Sequence, residues 1–424
     1  MCIGEWLMCT ASNLVEKTVP HSETENFFLH SGEGYKVLQF GNILRGGAEA
    51  AVFLVEGLVG KEGGGKVVIG KDGSNAYNSQ ERVQALRHTV HEFPTTCRWA
   101  TWLYGTPIML RFGEKDWMWA EEGSMQGDAL GGRIHDTGLQ HALIAAAKKT
   151  VQEWRQKGND EEELTIVAYR DDIYIVADPE MAVMGSDNVD ELRDKMTGVK
   201  ENKEKTTAYC PRGAFKDSTS HATALTTLEN TYIKHDRIST NGMKMLGAPL
   251  GDSEYIDEML AKQVQKYPLF IQRIMQMDKQ CALGLLRECH LPIATHLIRM
   301  ISPEHTIPHA QQLDTDIFDA YTHITEDRHM TKNDPTFRRP FKHGGMGFRS
   351  IESTAPIAHY ASTVQSINTL ARIDASLAHA ISSLPDIPPP DPPEPPDPPI
   401  DPRPRNRGAR GDFRRPPSML PSAC

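Results

Sequence analysis

Two adjacent aspartates, Asp171 and Asp172, lie between two short runs that are rich in valine, isoleucine and tyrosine. β-Branched and aromatic runs around a polar break predict a β-hairpin with the aspartates at its tip. Neighbouring residues of a regular strand point to opposite faces of a sheet, so two adjacent carboxylates can serve one site only at a turn. A solvated acidic turn would have the same sequence, and the surrounding residues must distinguish the two interpretations.

A third carboxylate, Asp72, follows residues 66–71, a run that predicts a strand. Two like charges about 4 Å apart repel by roughly 4 kcal/mol at an effective dielectric constant of 20. A fold tolerates such a group where a metal neutralises it or where one carboxyl group is protonated. Hard oxygen ligands without histidine or cysteine suit Mg²⁺ or Mn²⁺. Two such ions can activate a hydroxyl group and stabilise a leaving phosphate, which indicates metal-dependent phosphoryl or nucleotidyl transfer.

Other segments must position these carboxylates, and glycine, proline and capping residues divide them. We expect helices over 48–58, 76–92, 128–157 and 189–196, hairpins over 110–119 and 231–251, and a glycine-rich loop over 122–128. From about residue 255 to residue 384 the pattern is helical, with breaks at Pro268, Pro292 and Pro335. Residues 1–35 have no clear period.

The chain has 424 residues, of which 39% are hydrophobic and 24% charged, which suggests two or three domains. It contains no run of 18 apolar residues and no secretory signal pattern at its N-terminus. Its seven cysteines include no Cys-x-x-Cys pair. These features predict an intracellular protein, nuclear or cytoplasmic, without a membrane partner, a disulfide framework or a structural zinc site.

The net charge of −10 is unusual for a protein that binds nucleic acid, because phosphate contacts need lysine and arginine. Local patches matter more than the sum. Acidic residues are concentrated over 160–163 and 187–204, whereas residues 338–343 are mostly basic.

Five segments contain these candidate residues in a fixed order: DGSNAYNS at 72–79, EGSMQGDAL at 122–130, YRDD at 169–172, NKEK at 202–205 and LGAPLG at 246–251. In type and order they resemble the palm motifs of reverse transcriptases, most closely those of non-LTR (LINE-like) retrotransposons. LQFG at 38–41 and RGGAE at 45–49 resemble the segment before that palm, and HGGMGFRS at 343–350 resembles a stretch beyond the thumb. The resemblance covers roughly residues 36–365.

The resemblance implies an α+β fold: a polymerase palm, with a small antiparallel sheet backed by helices, partial fingers and a helical thumb. The expected domains are an unassigned N-terminal segment (1–35), partial fingers and palm (36–210), a primer-grip-like hairpin region (211–253), the thumb with following helices (254–384) and a tail (385–424). The tail has 15 of the 28 prolines, which predicts a disordered segment.

The resemblance also implies roles for single residues. Asp72, Asp171 and Asp172 would hold two Mg²⁺ or Mn²⁺ ions, and a DNA primer 3′ hydroxyl would be extended with deoxynucleoside triphosphates on an RNA template. Tyr77 corresponds to an aromatic steric gate that would exclude a ribose 2′ hydroxyl. A tyrosine that only fills the core is the alternative interpretation.

The remaining predicted contacts follow from the same resemblance. Gln126 and Gly127 would approach the nascent base pair, although Gly127 also suits a simple turn. Either Lys203 or Lys205 would lie near the triphosphate, and a solvated lysine is the alternative for each. Residues 243–251 would form the hairpin that grips the primer end, with Leu246 and Gly247 as the primer-grip residues. In the thumb, Lys262, Lys266 and Arg273 would contact the nucleic-acid backbone.

The chain also departs from the pattern of this family. Only 71 residues precede Asp72, so we expect an N-terminally truncated member with few basic fingers residues. Lys71 and Arg170 stand beside the aspartates, where either cation could depress a carboxylate pKa or compete with a metal. Two other hypotheses stay open: a catalytically inactive nucleic-acid-binding remnant, and an RNA-dependent RNA polymerase, against which Tyr77 argues.

Overall fold

A computed structural model describes residues 3–41, 44–112, 116–125, 127–159 and 163–382. The predictions for Gln126 and for the proline-rich tail therefore lie outside the described residues. The described residues all belong to one compact unit. Among the helices of the described residues, none is both long enough and apolar enough to cross a membrane.

The helices are α1 (Ile3–Glu16), α2 (His21–Phe28), α3 (Gly47–Val59), α4 (Ala76–Ser79), α5 (Arg82–Glu92), α6 (Cys97–Tyr104), α7 (Ala129–Gln156), α8 (Pro179–Thr197), α9 (Ser218–Glu229), α10 (Ser253–Val264), α11 (Tyr267–Met275), α12 (Lys279–Leu285), α13 (Thr295–Met300), α14 (Pro303–Thr325), α15 (Pro335–Arg338), α16 (Ile351–Ile373) and α17 (Ala375–Ser382). The strands are β1 (Leu29–Gly32), β2 (Tyr35–Gln39), β3 (Val67–Lys71), β4 (Ile108–Phe112), β5 (Asp116–Ala120), β6 (Leu164–Tyr169), β7 (Asp172–Ala177), β8 (Thr207–Tyr209), β9 (Ile238–Ser239), β10 (Gly242–Met245) and β11 (Ala248–Gly251).

A seven-stranded sheet of order β1-β2-β6-β7-β3-β8-β9 forms the centre of the fold. The four central strands β6, β7, β3 and β8 pair with one another in antiparallel orientation. At either side of these four, β2 pairs with β6 and β9 pairs with β8 in parallel. The expectation of a small antiparallel sheet was therefore wrong, because the sheet is larger and mixed. Parallel pairing requires a crossover connection, which helices α3 to α7 and their loops provide between β2 and β6.

The two faces of this sheet are covered by different helices. Val68, Val167 and Val176 lie on one face, here called the front face, against α3, the β10–β11 hairpin and the C-terminal helices α16 and α17. Ile69 and Ile175 lie on the opposite back face, against α7 and α8. Side chains alternate along a strand, so each central strand contributes to both cores.

Several predicted elements are confirmed, namely the β6–β7 hairpin, strand β3, the β4–β5 hairpin and helices α3 and α7. The single helix expected over 76–92 was wrong, because the backbone of Gln80 is extended (φ −65°, ψ 134°) and separates α4 from α5. Helix α8 begins ten residues before the expected residue 189, where the Asp178 side chain accepts a hydrogen bond from Glu180 N and caps it.

Three further regions can be compared with the predictions from the sequence. Residues 3–32, which the sequence left unassigned, contain α1, α2 and β1. The hairpin expected over 231–251 forms within β10 and β11 alone, whereas Ile238–Ser239 pairs with β8. The helical region expected after about residue 255 is confirmed for α10 to α14, α16 and α17, whereas residues 326–350 are mostly irregular. Pro268 and Pro335 lie in the first turns of helices, where no backbone donor is lost.

Candidate active site

The three predicted carboxylates meet at one end of the central sheet. Asp72 directly follows β3 and Asp172 begins β7, and these strands pair with Lys71 opposite Ile173. One further step in this register brings Asp72 and Asp172 next to each other. Asp171 lies in the turn before β7. The alternation of the strands also puts Asp72 and Asp172 on the front face.

Negative charge accumulates at this point. Burial, together with the charges of Asp171 and Asp72, raises the pKa of Asp172 to about 6, while the charge of Lys205 opposes the shift. The Lys205 Nζ lies 2.9 Å from Asp72 Oδ2, and this hydrogen bond raises the pKa of the lysine. The Lys205 side chain is 62% exposed, so it can move away from the carboxylate without leaving a cavity.

Lys71, although adjacent to Asp72 in sequence, points to the back face of the sheet. Its side chain is fully buried, with Nζ 2.7 Å from Asp190 Oδ1. It also donates hydrogen bonds to Ser186 Oγ at 2.7 Å and to the Tyr232 hydroxyl at 2.6 Å. Burial lowers the pKa of Lys71, and the Asp190 charge opposes this shift. Strand alternation therefore keeps this cation away from the candidate site.

Arg170 is turned away from the aspartates as well. Its φ of 60° lies in the left-handed region, which allows the sharp turn between β6 and β7. Buried Gln39 accepts a hydrogen bond from Arg170 N at 2.8 Å and donates one to Arg170 O at 3.1 Å. The guanidinium Nη1 lies 2.9 Å from Oδ2 of buried Asp136.

Tyr77 lies between the carboxylates and the glycine-rich loop. Its ring stacks on His135, with centroids 4.2 Å apart and planes 8° apart. Burial raises its pKa, as do the charges of Asp136 and Asp171, whereas Arg170 opposes them through its charge and a side-chain hydrogen bond. A tyrosine held on two sides is rigid, which both the steric-gate and the core interpretation require.

Arg82 holds the glycine-rich loop through hydrogen bonds to backbone carbonyl oxygens. This buried guanidinium donates hydrogen bonds to the carbonyl oxygens of Gly123 at 2.8 Å and Ala120 at 2.9 Å. Ser124 N donates to Tyr77 O at 2.9 Å, so the loop packs directly on α4. Gly127 is exposed and has a φ of 93°, which favours glycine for conformational reasons alone.

The two candidate lysines lie at different places. Lys205 pairs with Asp72, whereas the Lys203 Nζ lies 5.0 Å from the ring centroid of Tyr232. Tyr232 belongs to the back-face cluster around Lys71. Of the two lysines, the structure therefore brings only Lys205 to the carboxylates.

Residues 200–206, here called the lysine segment, are fastened to the end of β3. Asn202 N donates a hydrogen bond to Asp72 O at 2.9 Å. Glu201 forms a buried ion pair with Arg193 of α8 and accepts a hydrogen bond from Thr206. The segment that carries Lys205 is thus held both by the end of β3 and by α8.

The predicted primer-grip residues form the tip of the β10–β11 hairpin. Leu246 and Gly247 have φ values of 48° and 89°. Leu246 N donates a hydrogen bond to the Tyr174 hydroxyl at 3.3 Å. Tyr174 shares the front face with Asp172, two residues earlier on β7, so one side chain connects the hairpin tip with the carboxylates.

The sequence analysis missed the residues that hold the turn and the loop, above all Asp136, Gln39 and Arg82. A signal existed for Asp136. It falls three and seven residues before Leu139 and Leu143, on the apolar stripe of α7. A charged residue in such a stripe is buried and must be paired.

The donor chemistry of the site suits a hard divalent cation, since it consists of carboxylate oxygens. Among the residues that the structure describes, however, no three histidine, cysteine, aspartate or glutamate side chains are arranged so that they could hold a metal ion. In this conformation Lys205 is the cation that contacts Asp72.

No protein-family model matches the chain, and no curated protein matches it. Solved structures that are similar to it include two telomerases. Telomerase from Candida albicans, in complex with the TWJ fragment of telomeric RNA, is 9% identical, with 89% of this chain and 58% of that chain covered at a TM-score of 0.36. Apo telomerase from Candida tropicalis is 8% identical, with 88% and 59% covered at a TM-score of 0.36.

The chain thus spans less than two thirds of either solved chain. Similarity at this level assigns neither a family nor an activity.

Proposed function

We propose that this chain performs reverse-transcriptase-like, template-directed nucleotidyl transfer, extending a primer 3′ hydroxyl with deoxynucleoside triphosphates. The observation that carries the proposal is the meeting of Asp72 with Asp171 and Asp172, whose mutual repulsion contributes to the raised pKa of Asp172. The order of the five motif segments along the chain supports the same assignment.

Mg²⁺ or Mn²⁺ would be held by these three carboxylates, with Lys205 giving up its ion pair with Asp72. When bound, such ions supply charge neutralisation for a triphosphate and activate a primer hydroxyl. The chain itself would provide positioning, which is the main requirement of phosphoryl transfer.

Three parts of the site would each position a different part of the substrates. The exposed ammonium of Lys205 would bind the triphosphate. The Tyr77 ring, held by His135 and Arg170, would exclude a ribose 2′ hydroxyl. The hairpin tip at Leu246 and Gly247 would support the DNA primer on its RNA template.

Primer extension tests the proposal, with an oligo(dT) primer on poly(rA) and either Mg²⁺ or Mn²⁺. We expect extension by the chain and a loss of at least about 100-fold in the Asp171→Asn, Asp172→Asn double variant, because the charges that stabilise the transition state are removed. A double variant of two exposed aspartates, Asp236→Asn and Asp319→Asn, makes the same charge change and should retain activity. Preferential use of ribonucleotides would instead favour an RNA polymerase.

One observation favours a second function, a non-catalytic nucleic-acid-binding remnant. Lys205 already neutralises Asp72 in the structure. The remnant predicts that the folded chain binds the template–primer without extending it, and that Asp72→Asn leaves this binding unchanged. Extension that depends on Asp171 and Asp172 would eliminate this alternative.

A further inference from the structure

The segment HGGMGFRS at 343–350 has no role in the proposed site, although it lies in an ordered and basic part of the molecule. Residues 338–349, here called the basic loop, are anchored by two buried rings, Phe337 and Phe348, which stack with centroids 5.0 Å apart. Buried Asp314 accepts hydrogen bonds from Ile351 N at 2.9 Å and Ser350 Oγ at 2.6 Å just beyond the loop.

The backbone of the basic loop is folded on itself. Gly347 N donates to Arg339 O at 2.9 Å, and Met346 N donates to Thr336 O at 2.7 Å. A side chain at Gly345 would collide with the Arg339 carbonyl group, and Gly344 and Gly347 both have a φ of 77°. The glycines are thus required by a tight backbone, which holds the side chains of the loop outward.

Several of these outward side chains are basic. Arg339, Lys342, His343 and Arg349 are exposed. Within the described part of the chain, Arg339, Lys342 and Arg349 form no ion pair, and the hydrogen bond of Arg349 is to a neutral hydroxyl, Thr295 Oγ1, at 3.3 Å.

Acidic groups near the loop are already engaged. Glu288 pairs with Arg287 at 2.6 Å, Asp314 lies 3.5 Å from Arg338, and the Asp334 side chain caps α15. In a chain with a net charge of −10, several other surface lysines have a glutamate partner: Lys234, Lys262 and Lys279.

An aromatic ring completes this surface. Phe341 is 56% exposed, and the Arg287 guanidinium lies 4.1 Å from its ring centroid. Arginine, lysine and an exposed ring are the groups that bind phosphates and stack on unpaired bases.

We propose that the basic loop binds the phosphodiester backbone of a nucleic acid, with Phe341 available to stack on an unpaired base. The choice of a template–primer as the ligand rests on the proposed function. The charge argument does not, since unpaired cations on a rigid loop attract phosphates whether or not the aspartates are catalytic.

Fluorescence anisotropy with a labelled RNA–DNA template–primer, in EDTA, tests the proposal without catalysis. The loop variant is Arg339→Gln, Lys342→Gln, Arg349→Gln. A matched control with the same charge change is Lys149→Gln, Lys234→Gln, Lys279→Gln, at three lysines that each pair with a glutamate. We expect at least about tenfold weaker binding by the loop variant and a slope of log K against log salt reduced by roughly 2, against little change in the control. Thermal unfolding verifies that both variants fold.

Equal affinity of the loop variant and the parent chain, or an equal loss in the control, would overturn the proposal, as would the absence of binding by the parent chain. Displacement of the template–primer by polyglutamate as readily as by unlabelled RNA–DNA would assign the loop to acidic proteins instead.

Primer extension separates the two proposals. Loop-dependent binding without extension leaves this inference standing and the polymerase wrong, whereas extension with loop-independent binding does the reverse.

Discussion

At the candidate site, charged residues that are neighbours in sequence lie on opposite faces of the sheet. Asp72 and Lys71 are consecutive, yet the carboxylate lies on the front face near Asp172 and the ammonium lies 2.7 Å from Asp190 on the back. The alternation of side chains along a strand is sufficient to separate the two charges. Arg170 is withdrawn differently, by a left-handed turn and a buried carboxylate partner, Asp136.

The raised pKa of Asp172 predicts that this residue destabilises the fold at neutral pH. A folded-state pKa of about 6 against an ordinary 3.8 means that the folded state holds a proton which the unfolded state releases between about pH 4 and pH 6. The free energy of unfolding therefore falls as pH rises through this window. The shift corresponds to at most about 3 kcal/mol, and partial exposure reduces this to about 1–2 kcal/mol.

We therefore expect Asp172→Asn to be more stable than the parent chain by about 1–2 kcal/mol at pH 7.5, with the difference vanishing below about pH 4. Urea unfolding in EDTA at both pH values measures this. Asp236→Asn, an exposed aspartate, serves as the charge-matched control. A less stable Asp172→Asn variant at pH 7.5 would show that the carboxylate is stabilised by its surroundings instead.

At the scale of elements, the lysine segment is tied to helix α8 as well as to the end of β3. Glu201 reaches back to Arg193, eight residues earlier, and both side chains are nearly inaccessible, at 4% and 2% exposed. Removing one partner of a buried pair leaves an uncompensated charge, which costs about 3–5 kcal/mol.

A double-mutant cycle tests this anchoring. We expect Arg193→Met to lower the free energy of unfolding by about 3–5 kcal/mol, and the double variant Arg193→Met, Glu201→Gln to be less destabilised than Arg193→Met alone. Urea unfolding of the four proteins at pH 7.5 gives the coupling free energy. Additive effects of the two changes would mean that the pair does not act as a unit.

At the scale of the whole molecule, the front-face core joins segments that are far apart in sequence. Side chains of α3, the β10–β11 hairpin, α16 and α17 pack in one cluster with the central strands. Ile367, Leu370, Leu377 and Ile381 of the last two helices are almost fully buried in it. Helices α16 and α17 therefore belong to the front-face core and are not an appendage.

Truncation tests this dependence. Burying the four apolar side chains of α16 and α17 contributes about 6–12 kcal/mol, comparable with the roughly 5–15 kcal/mol stability of a typical domain. We therefore expect a chain ending at residue 350 to lack a cooperative thermal transition, measured by circular dichroism. A chain ending at residue 384 keeps both helices and should melt within a few degrees of the full chain. A cooperative transition of the shorter chain near the same temperature would contradict the assignment.

The sequence alone was sufficient for what depends on neighbours along the chain. Alternating apolar runs and a polar break predict the β6–β7 hairpin with Asp171 and Asp172 at its turn, and a glycine pair predicts the start of α3. Periodicity and turn chemistry are local properties, so they can be read without knowing the fold. The order of the motifs nominated Asp72 as the third carboxylate, but the sequence could not say which lysine joins it.

Tertiary structure decided every question that depends on contacts between distant segments. The mixed sheet arises because β2 pairs with β6 across more than a hundred residues. Lys205 and not Lys203 lies beside Asp72, in a segment held by Asp72 O and by Arg193. The sequence indicates that Asp136 is buried and paired, but it does not show that Arg170 is its partner or that Gln39 holds the same turn. Such partners are selected by packing and by the need to pair buried charges, and these act only once the chain has folded.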